Sequence, residues 1–142
     1  MKVSIKRFDA SLPLPEYKTA GAAALDLSAR TTTTIIPGAV GYVPLNIALQ
    51  LPEGCFALLA ARSSLHRRGL QLINGIGIGD ADFCGDGDEY QAALRNFSDS
   101  SVRIERGERI VQLIVLERTQ VELEEKESFG TEDRGGFGST GR

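Results

Sequence analysis

A period-two alternation of apolar and polar residues recurs through most of this chain and restricts it to strand-based folds. The longest example places an aliphatic side chain at every second position over nine residues: Val43, Leu45, Ile47, Leu49 and Leu51. This is the pattern of a half-buried β-strand, and the sequence Pro52-Glu53-Gly54 after it is a turn signal. We therefore predict one strand over residues 43–51.

Other short segments show strand patterns, and the turn signals between them recur about every 8–12 residues. These segments are residues 3–5, 31–36, 55–61, 90–94, 102–104, 110–116 and 121–123. Only residues 63–68, with serines near the start and Gly69 placed to end it, suggest a short helix. The pattern predicts an all-β sandwich or barrel.

Composition is that of a single globular domain. With 142 residues, 42% of them hydrophobic, the chain is long enough to bury a core. No apolar run approaches the ~20 residues of a membrane span, and the first residues lack the apolar core of a signal peptide. Cys55 and Cys84 make neither a disulfide framework nor a metal site, so a reduced, cytoplasmic protein is the simplest interpretation. We predict a core domain over residues 1–123 and a C-terminal arm over residues 124–142.

The charge pattern argues against long nucleic acid as a ligand. The net charge is −3, and the only basic cluster is His66-Arg67-Arg68, whereas a general nucleic-acid binder is usually basic. A small polyanion, held locally by a few arginines, backbone amides and a divalent cation, is compatible with this charge.

The last nine residues, 134–142, combine four glycines with two arginines, two hydroxyl side chains and one phenylalanine. Glycine-rich backbone can form an anion-binding nest, and arginine matches phosphate oxygens. A phenylalanine among them can lie flat on a base or a sugar. These residue types favour an arm that closes over a nucleotide polyphosphate, although a tail without function has a similar composition.

Two further segments carry polar residues suited to phosphate or metal. Asp26 lies between two leucines in a small, apolar run, and a buried aspartate is usually paired or near a metal. A structural hydrogen-bonding role is the alternative. Arg62, Ser63 and Ser64 follow a predicted strand where a short helix begins, an arrangement that suits phosphate, although a serine N-cap would also explain the hydroxyls.

A glycine–isoleucine alternation from Gly75 to Gly79 predicts a thin strand that a ligand can approach closely. Asp80 follows directly and Phe83 comes three residues later, so a hairpin there could place a sugar against Phe83 and Asp80 near a water. A tight turn with Asp80 as a turn residue is the alternative. Gln112 interrupts an apolar strand, and its amide needs a partner, which a core hydrogen bond could also supply.

Taken in order, these segments resemble the five motifs of the trimeric deoxyuridine triphosphatases (dUTPases), over residues 20–141. The matching segments are Ala24-Leu25-Asp26-Leu27, Arg62-Ser63-Ser64-Leu65, Gly77-Ile78-Gly79-Asp80-Ala81-Asp82-Phe83, Gly107-Glu108-Arg109-Ile110-Val111-Gln112 and Gly136-Phe137-Gly138-Ser139-Thr140-Gly141. The resemblance implies a jelly-roll-like β-barrel of the β-clip type with a flexible glycine-rich arm. It also implies a homotrimer whose active sites lie at subunit interfaces.

The activity implied by the resemblance is hydrolysis of dUTP to dUMP and pyrophosphate, which lowers dUTP and supplies dUMP for thymidylate synthesis. Asp80 matches the base that activates the water attacking the α-phosphorus, and Gln112 matches the residue near the α-phosphate. Asp26 matches the aspartate that holds Mg²⁺ through water. The implied substrate-binding residues are Arg62, Ser63, Ser64, Arg134, Gly138, Ser139 and Thr140 around the phosphates, Asn74, Gly77 and Phe137 around uracil, and Phe83 under the deoxyribose. Neither nucleic acid nor a membrane is an expected partner.

Some positions depart from the family pattern. Phe83 stands where tyrosine is common, and Gly79 stands where a branched aliphatic usually precedes the catalytic aspartate, which predicts a looser placement of Asp80. Residues 86–90 look like a short insertion whose acids either bind a cation or form a solvated loop. Arg134 lies closer to Phe137 than is usual in the family.

Two other functions fit parts of the sequence. A dCTP deaminase shares the fold and the Arg-Ser-Ser segment, but it needs a glutamate acid/base in the pocket and lacks this Phe-Gly-Ser-Thr-Gly arm. Some phage and viral relatives act as nucleotide-gated regulators that bind protein partners, and nucleotide-dependent binding without turnover would indicate that role.

Overall fold

The structure is a computed structural model that describes residues 1–136, and this part of the chain folds into short strands with one 3-10 helix. In chain order the strands are β1 (Ser4–Arg7), β2 (Leu25–Ser28), β3 (Thr33–Ile35), β4 (Val40–Pro44), β5 (Ile47–Gln50), β6 (Cys55–Ala61), β7 (Leu70–Leu72), β8 (Ile76–Gly79), β9 (Gln91–Asn96), β10 (Val102–Ile104) and β11 (Arg109–Glu117). The 3-10 helix, Leu65–Arg68, lies between β6 and β7.

The strands pair antiparallel in four small sheets around one hydrophobic core. The largest sheet has the order β2-β11-β6-β8, and the others are β4-β9-β7, β1-β5 and β3-β10. Side chains from all four sheets fill the core, among them Leu27, Ile35, Val43, Leu49, Leu59, Leu70, Leu94, Ile104 and Val111. The predicted all-β, barrel-like fold is therefore confirmed.

Residues 43–51 form parts of two strands instead of the single strand predicted. Pro44, the last residue of β4, has no backbone N–H to donate. Asn46 has a φ of 69°, in the left-handed region that asparagine tolerates better than most residues. Its buried side chain fixes this turn, because Oδ1 accepts from the Asp9 N–H at 2.6 Å and Nδ2 donates to the Asp9 carbonyl at 3.1 Å. The apolar pattern thus identified the buried side chains but not the break between the strands.

Two other predicted elements differ from the structure. The predicted helix at residues 63–68 is a four-residue 3-10 helix, which ends as expected at Gly69 with a φ of 72°. No strand forms at residues 121–123: Val121 and Leu123 are exposed, and β11 is the last strand of the described chain. Two apolar residues between charged neighbours bury too little area to order a strand. Within residues 1–136, no helix is long and apolar enough to cross a membrane.

Asn96 is a fully buried amide at the end of β9 that uses all of its hydrogen-bonding groups. Its Nδ2 donates to the carbonyls of Ile35 and Ser100, both at 2.8 Å. Its Oδ1 accepts from the N–H of Ser98 at 2.9 Å and from the Ser98 hydroxyl at 2.7 Å. The amide therefore ties the β9–β10 turn to β3.

Asn96→Leu is expected to lower the free energy of unfolding by about 2–4 kcal/mol, because it removes the four hydrogen bonds of a fully buried amide. Urea unfolding at fixed protein concentration measures the change. Asp99→Ala is the control, since Asp99 is exposed in the same turn and should change stability by less than ~0.5 kcal/mol. Equal, small effects of the two substitutions would contradict the role assigned to Asn96.

Candidate active site

The four-stranded sheet brings three of the predicted site residues together. β11 lies between β2 and β6, and its Gln112 pairs with Asp26 on one side and with Ala60 on the other. Gln112 Nε2 donates to the Ala61 carbonyl at 3.0 Å, which gives the amide the partner that it needs inside a sheet. Arg62 follows Ala61 directly, so it lies beside the same strands.

Asp26 is held between two guanidinium groups. Arg62 Nε lies 3.0 Å from its Oδ1, and Arg109 Nη1 lies 2.9 Å from its Oδ2. The Asp26 side chain is only 13% exposed, and Arg62 also donates to the Arg109 carbonyl at 3.1 Å. We call Asp26, Arg62, Arg109 and Gln112 the arginine cluster. With two guanidinium groups against one carboxylate, it carries a net positive charge and suits a polyphosphate.

Arg109 was not predicted as a site residue, and a β-bulge explains why. Arg109 pairs with Ser28, whereas Val111 already pairs with Leu27, so two residues of β11 oppose one residue of β2. Residues three apart in a regular strand point to opposite faces. The bulge puts Arg109 on the same face as Gln112, and the period-two reasoning applied to the sequence does not detect such a shift.

Ser63 and Ser64 are exposed between β6 and the 3-10 helix. Ser64 makes no side-chain cap hydrogen bond, so the capping explanation of this serine is wrong. The helix that follows is only four residues long, so its dipole contributes little to anion binding. What this segment offers a phosphate is therefore two hydroxyl groups beside Arg62.

A second group of predicted residues surrounds β8. Asn74, Gly77 and Phe83 line one cavity of about 410 Å³, a size typical of small-molecule sites. Gly77 packs closely on β6, because a Cβ there would lie 3.1 Å from the Leu59 Cβ. Phe83 is 40% exposed, so one part of its ring is open to a ligand.

Asp80 follows β8 and begins the turn to Phe83, whose N–H donates to the Asp80 carbonyl at 3.2 Å. The carboxylate of Asp80 is exposed, and within residues 1–136 it makes no hydrogen bond or ion pair. Gly79 before it is buried, and the Tyr90 ring occupies the space where a side chain at position 79 would lie. The missing side chain at Gly79 therefore does not leave a gap behind Asp80.

Asp80 and the arginine cluster lie apart on one chain. Gly79 pairs with Ala57 near the start of β6, whereas Arg62 directly follows its last residue, Ala61. Five residue steps along an antiparallel strand, at about 3.4 Å each, correspond to about 17 Å. The structure thus brings Asp26, Arg62 and Gln112 together, and it places Asp80 at the far end of β8 from them. Gly77, which pairs with Leu59, lies between the two.

The acids of the short insertion make contacts with their own chain. Asp86 pairs with Lys6 at 3.1 Å, and Asp88 accepts the Gly85 N–H at 2.7 Å. Glu89 binds Arg30 through two hydrogen bonds of 2.7 and 2.8 Å and accepts the Asn46 N–H at 2.9 Å. Glu89 thereby anchors the end of the insertion to the turn before β5.

Protein groups alone do not form a metal cage in the part of the chain that is described. Residues 1–136 contain no group of three or more His, Cys, Asp or Glu side chains placed to hold a metal. Asp26 uses two lone pairs on its arginines, and a carboxylate offers about four. This donor set fits a Mg²⁺ ion bound mainly by phosphate oxygens and water, the usual arrangement for this ion.

The C-terminal predictions fall mostly beyond the described residues. Arg134 is exposed, and no ion pair is formed by it within residues 1–136. Phe137, Gly138, Ser139 and Thr140 lie outside the described residues.

Comparison with known proteins identifies the family of this chain. The sequence profile of the dUTPase family matches residues 10–141. A deoxyuridine 5'-triphosphate nucleotidohydrolase of Dictyoglomus turgidum is 41% identical over 148 residues, covering 99% of both chains. One from Chromobacterium violaceum is 40% identical and covers 99% of this chain and 97% of its own.

Solved structures give the same result for the fold. A dUTPase from Streptococcus mutans superimposes with a TM-score of 0.77 at 30% identity, covering 83% of this chain and 98% of its own. A dUTPase of Staphylococcus bacteriophage 80alpha, solved with dUpNHpp, has a TM-score of 0.87 at 24% identity and covers 99% of both chains. The matches extend over nearly the whole sequence, and the chain belongs to the dUTPase family.

Proposed function

We propose that this protein hydrolyses dUTP to dUMP and pyrophosphate. The observation that carries the proposal is the pairing of two unlike groups: a nucleoside-sized cavity next to a carboxylate, and a positively charged arginine cluster. The first suits a base and a sugar, and the second suits a triphosphate. The relatives named as dUTP nucleotidohydrolases support dUTP as the substrate.

In the proposed reaction, Asp80 removes a proton from a water that attacks the α-phosphorus. The new P–O bond forms as the bond from the α-phosphorus to the bridging oxygen breaks, and pyrophosphate leaves with the electron pair of that bond. Arg62 and Arg109 offset the charge of the phosphate oxygens, while the Gln112 amide and the hydroxyls of Ser63 and Ser64 orient them. The exposed, unpaired carboxylate of Asp80 is available for this role.

The cavity beside β8 supplies the proposed selection of base and sugar. Asn74 and the neighbouring backbone bind the uracil edge in this proposal, and the cavity excludes the 5-methyl group of thymine. The Phe83 ring packs under the deoxyribose and excludes a 2'-hydroxyl. Phe137 stacks on uracil, and Arg134, Gly138, Ser139 and Thr140 bind the outer phosphates in this proposal.

A homotrimer follows from the same proposal. Asp80 and the arginine cluster must meet one triphosphate, yet they are separated by about 17 Å of strand in one chain. A closed ring of three subunits brings the Asp80 of one subunit to the arginine cluster of the next. The separation of the two groups supports active sites shared between subunits.

Mg²⁺ is the proposed cofactor, and Asp26 would hold it through water. Bound to the phosphate oxygens, the ion would neutralise their charge and fix their geometry. Arg62 and Arg109 hold the Asp26 carboxylate in place between them.

A glutamate does line the cavity, which raises the deaminase alternative again. Glu89 borders the space beside Phe83, but its carboxylate is 9% exposed and is bound by Arg30 and the Asn46 N–H. A buried carboxylate whose oxygens are occupied by these donors is not free to exchange protons with a cytosine ring.

Pyrophosphate and ammonia release from dUTP, dCTP, dTTP and UTP, with Mg²⁺ and with excess EDTA, tests the proposal. We expect pyrophosphate from dUTP alone, and its loss with EDTA. Ammonia from dCTP would instead establish a deaminase. Tight binding of dUTP without any product would indicate a nucleotide-binding role.

A further inference from the structure

Tyr90 is a buried aromatic residue that the proposed reaction does not use. It lies just before β9, is 6% exposed, and its backbone is fixed by hydrogen bonds to Ile47 and Leu45, both at 2.9 Å. Its hydroxyl is buried and has no hydrogen-bond partner among residues 1–136. A buried hydroxyl without a protein partner indicates that the ring is placed for its shape.

The Tyr90 ring packs directly on Gly79. A Cβ built on Gly79 would collide with the Tyr90 hydroxyl, and it would lie 2.7 Å from Cε1 and 2.8 Å from Cζ of the ring. Real Cβ atoms do not approach other atoms this closely. Any side chain at position 79 would therefore displace either the ring or the backbone at the end of β8.

The same ring also packs on Phe83, and it lies near the charge of Asp80; both residues follow β8. Tyr90 and Phe83 pack edge to face, with 5.5 Å between centroids and 71° between ring planes. Burial, and then the negative charge of Asp80, raise the pKa of the Tyr90 phenol, so Asp80 acts on it electrostatically. Tyr90 thus packs on Gly79 and Phe83, which lie on either side of Asp80 in the chain.

We infer that Tyr90 and Gly79 are a size-matched pair in which the tyrosine ring sets the backbone at the end of β8 and so positions Asp80. Tyr90 is a positioning residue, since it acts through Gly79 and does not contact the reacting atoms. The predicted changes in kcat rest on the proposed hydrolysis of dUTP, whereas the predicted effect on the backbone of β8 does not. The pair explains how Asp80 can be held in position although the residue before it, Gly79, has no side chain to pack: the Tyr90 ring fills that space.

The test compares Gly79→Ala, Tyr90→Leu and the double variant. Gly79→Ala should lower kcat for dUTP about 10- to 100-fold, because a shift of about 1 Å in a catalytic group has effects of this size. KM should change by less than about threefold, since the residues that bind base and phosphates are untouched. Tyr90→Leu should also lower kcat, because Gly79 loses the ring behind it.

The double variant should recover most of the kcat lost in Gly79→Ala, since the shorter leucine side chain that replaces the Tyr90 ring makes room for the new methyl group. Tyr90→Phe should keep kcat within about threefold of wild type, because the ring atoms next to Gly79 remain. Gly87→Ala is the matched control; a Cβ there meets nothing within 4 Å. If Gly79→Ala acted only by destabilising the fold, its unfolding midpoint would fall and the double variant would not recover kcat.

Hydrogen–deuterium exchange of residues 76–83 provides a readout that does not depend on turnover. Exchange should rise in Gly79→Ala and return toward wild type in the double variant. If wild type does not turn over dUTP, the proposed function fails, and the exchange pattern still decides the Gly79–Tyr90 pairing. The inference is overturned if Tyr90→Leu behaves as wild type, if the double variant is no better than Gly79→Ala, or if Tyr90→Phe loses as much kcat as Tyr90→Leu.

Discussion

Asp80→Asn is expected to lower kcat for dUTP by about 10²- to 10⁴-fold, the usual contribution of a positioned general base. The amide keeps the size of the side chain but cannot accept the proton of the attacking water. KM should change little, because in the proposed reaction the cavity residues and the arginine cluster bind the substrate, whereas Asp80 acts on the water. Steady-state pyrophosphate release measures both constants.

Asp86→Asn makes the same chemical change in the same loop and should leave kcat at the wild-type value, since Asp86 is exposed and pairs only with Lys6. Binding of the non-hydrolysable analogue dUpNHpp separates loss of chemistry from loss of binding. Full turnover by Asp80→Asn would refute its assignment as the base.

Mixed trimers of Asp80→Asn and Arg62→Ala are expected to be active, although each variant alone is nearly inactive. If Asp80 and Arg62 reach one site from different subunits, some sites in a mixed ring receive both residues intact. Every mixed ring holds two chains of one kind and one of the other, so one site in each ring, about a third of the sites, receives both residues intact. Co-expression with two affinity tags isolates the mixed trimers.

The mixed-trimer result depends on the separation of about 17 Å between the two groups within one chain. Trimers assembled separately and then combined without subunit exchange are the control and should stay inactive. A site built within one chain would always contain one of the two substitutions. Mixed trimers as inactive as their parents would therefore exclude a site shared in this way.

Residues whose roles depend on local pattern were predicted well from the sequence. The apolar run at residues 55–61 is strand β6 with the same bounds, and the glycine–isoleucine alternation is β8. In both strands, side chains at alternate positions point to opposite faces, so the sequence pattern predicts which of them are buried. The motif residues were named from their resemblance to the dUTPase family, and their roles stay predictions.

Features that depend on exceptions to the pattern were not predicted. The left-handed Asn46 breaks a strand whose apolar alternation continues across it. The bulge in β11 moves Arg109 to the same face as Gln112. The Tyr90 ring, from the segment just before β9, fills the space beside Gly79. These depend on single dihedral angles, on register and on contacts between strands, none of which the alternation of residues encodes.

The position of β11 has a consequence for the order in which the protein acquires its fold. β11 separates β2 from β6 in the largest sheet, although it is the last strand of the described chain to be synthesised. Until it leaves the ribosome, β2 and one edge of β6 expose unpaired backbone groups, and such edges can pair with other chains. Folding of the nascent chain must therefore wait for its C-terminal third. A chain shortened into β11 should aggregate, whereas one shortened after it keeps every strand described here.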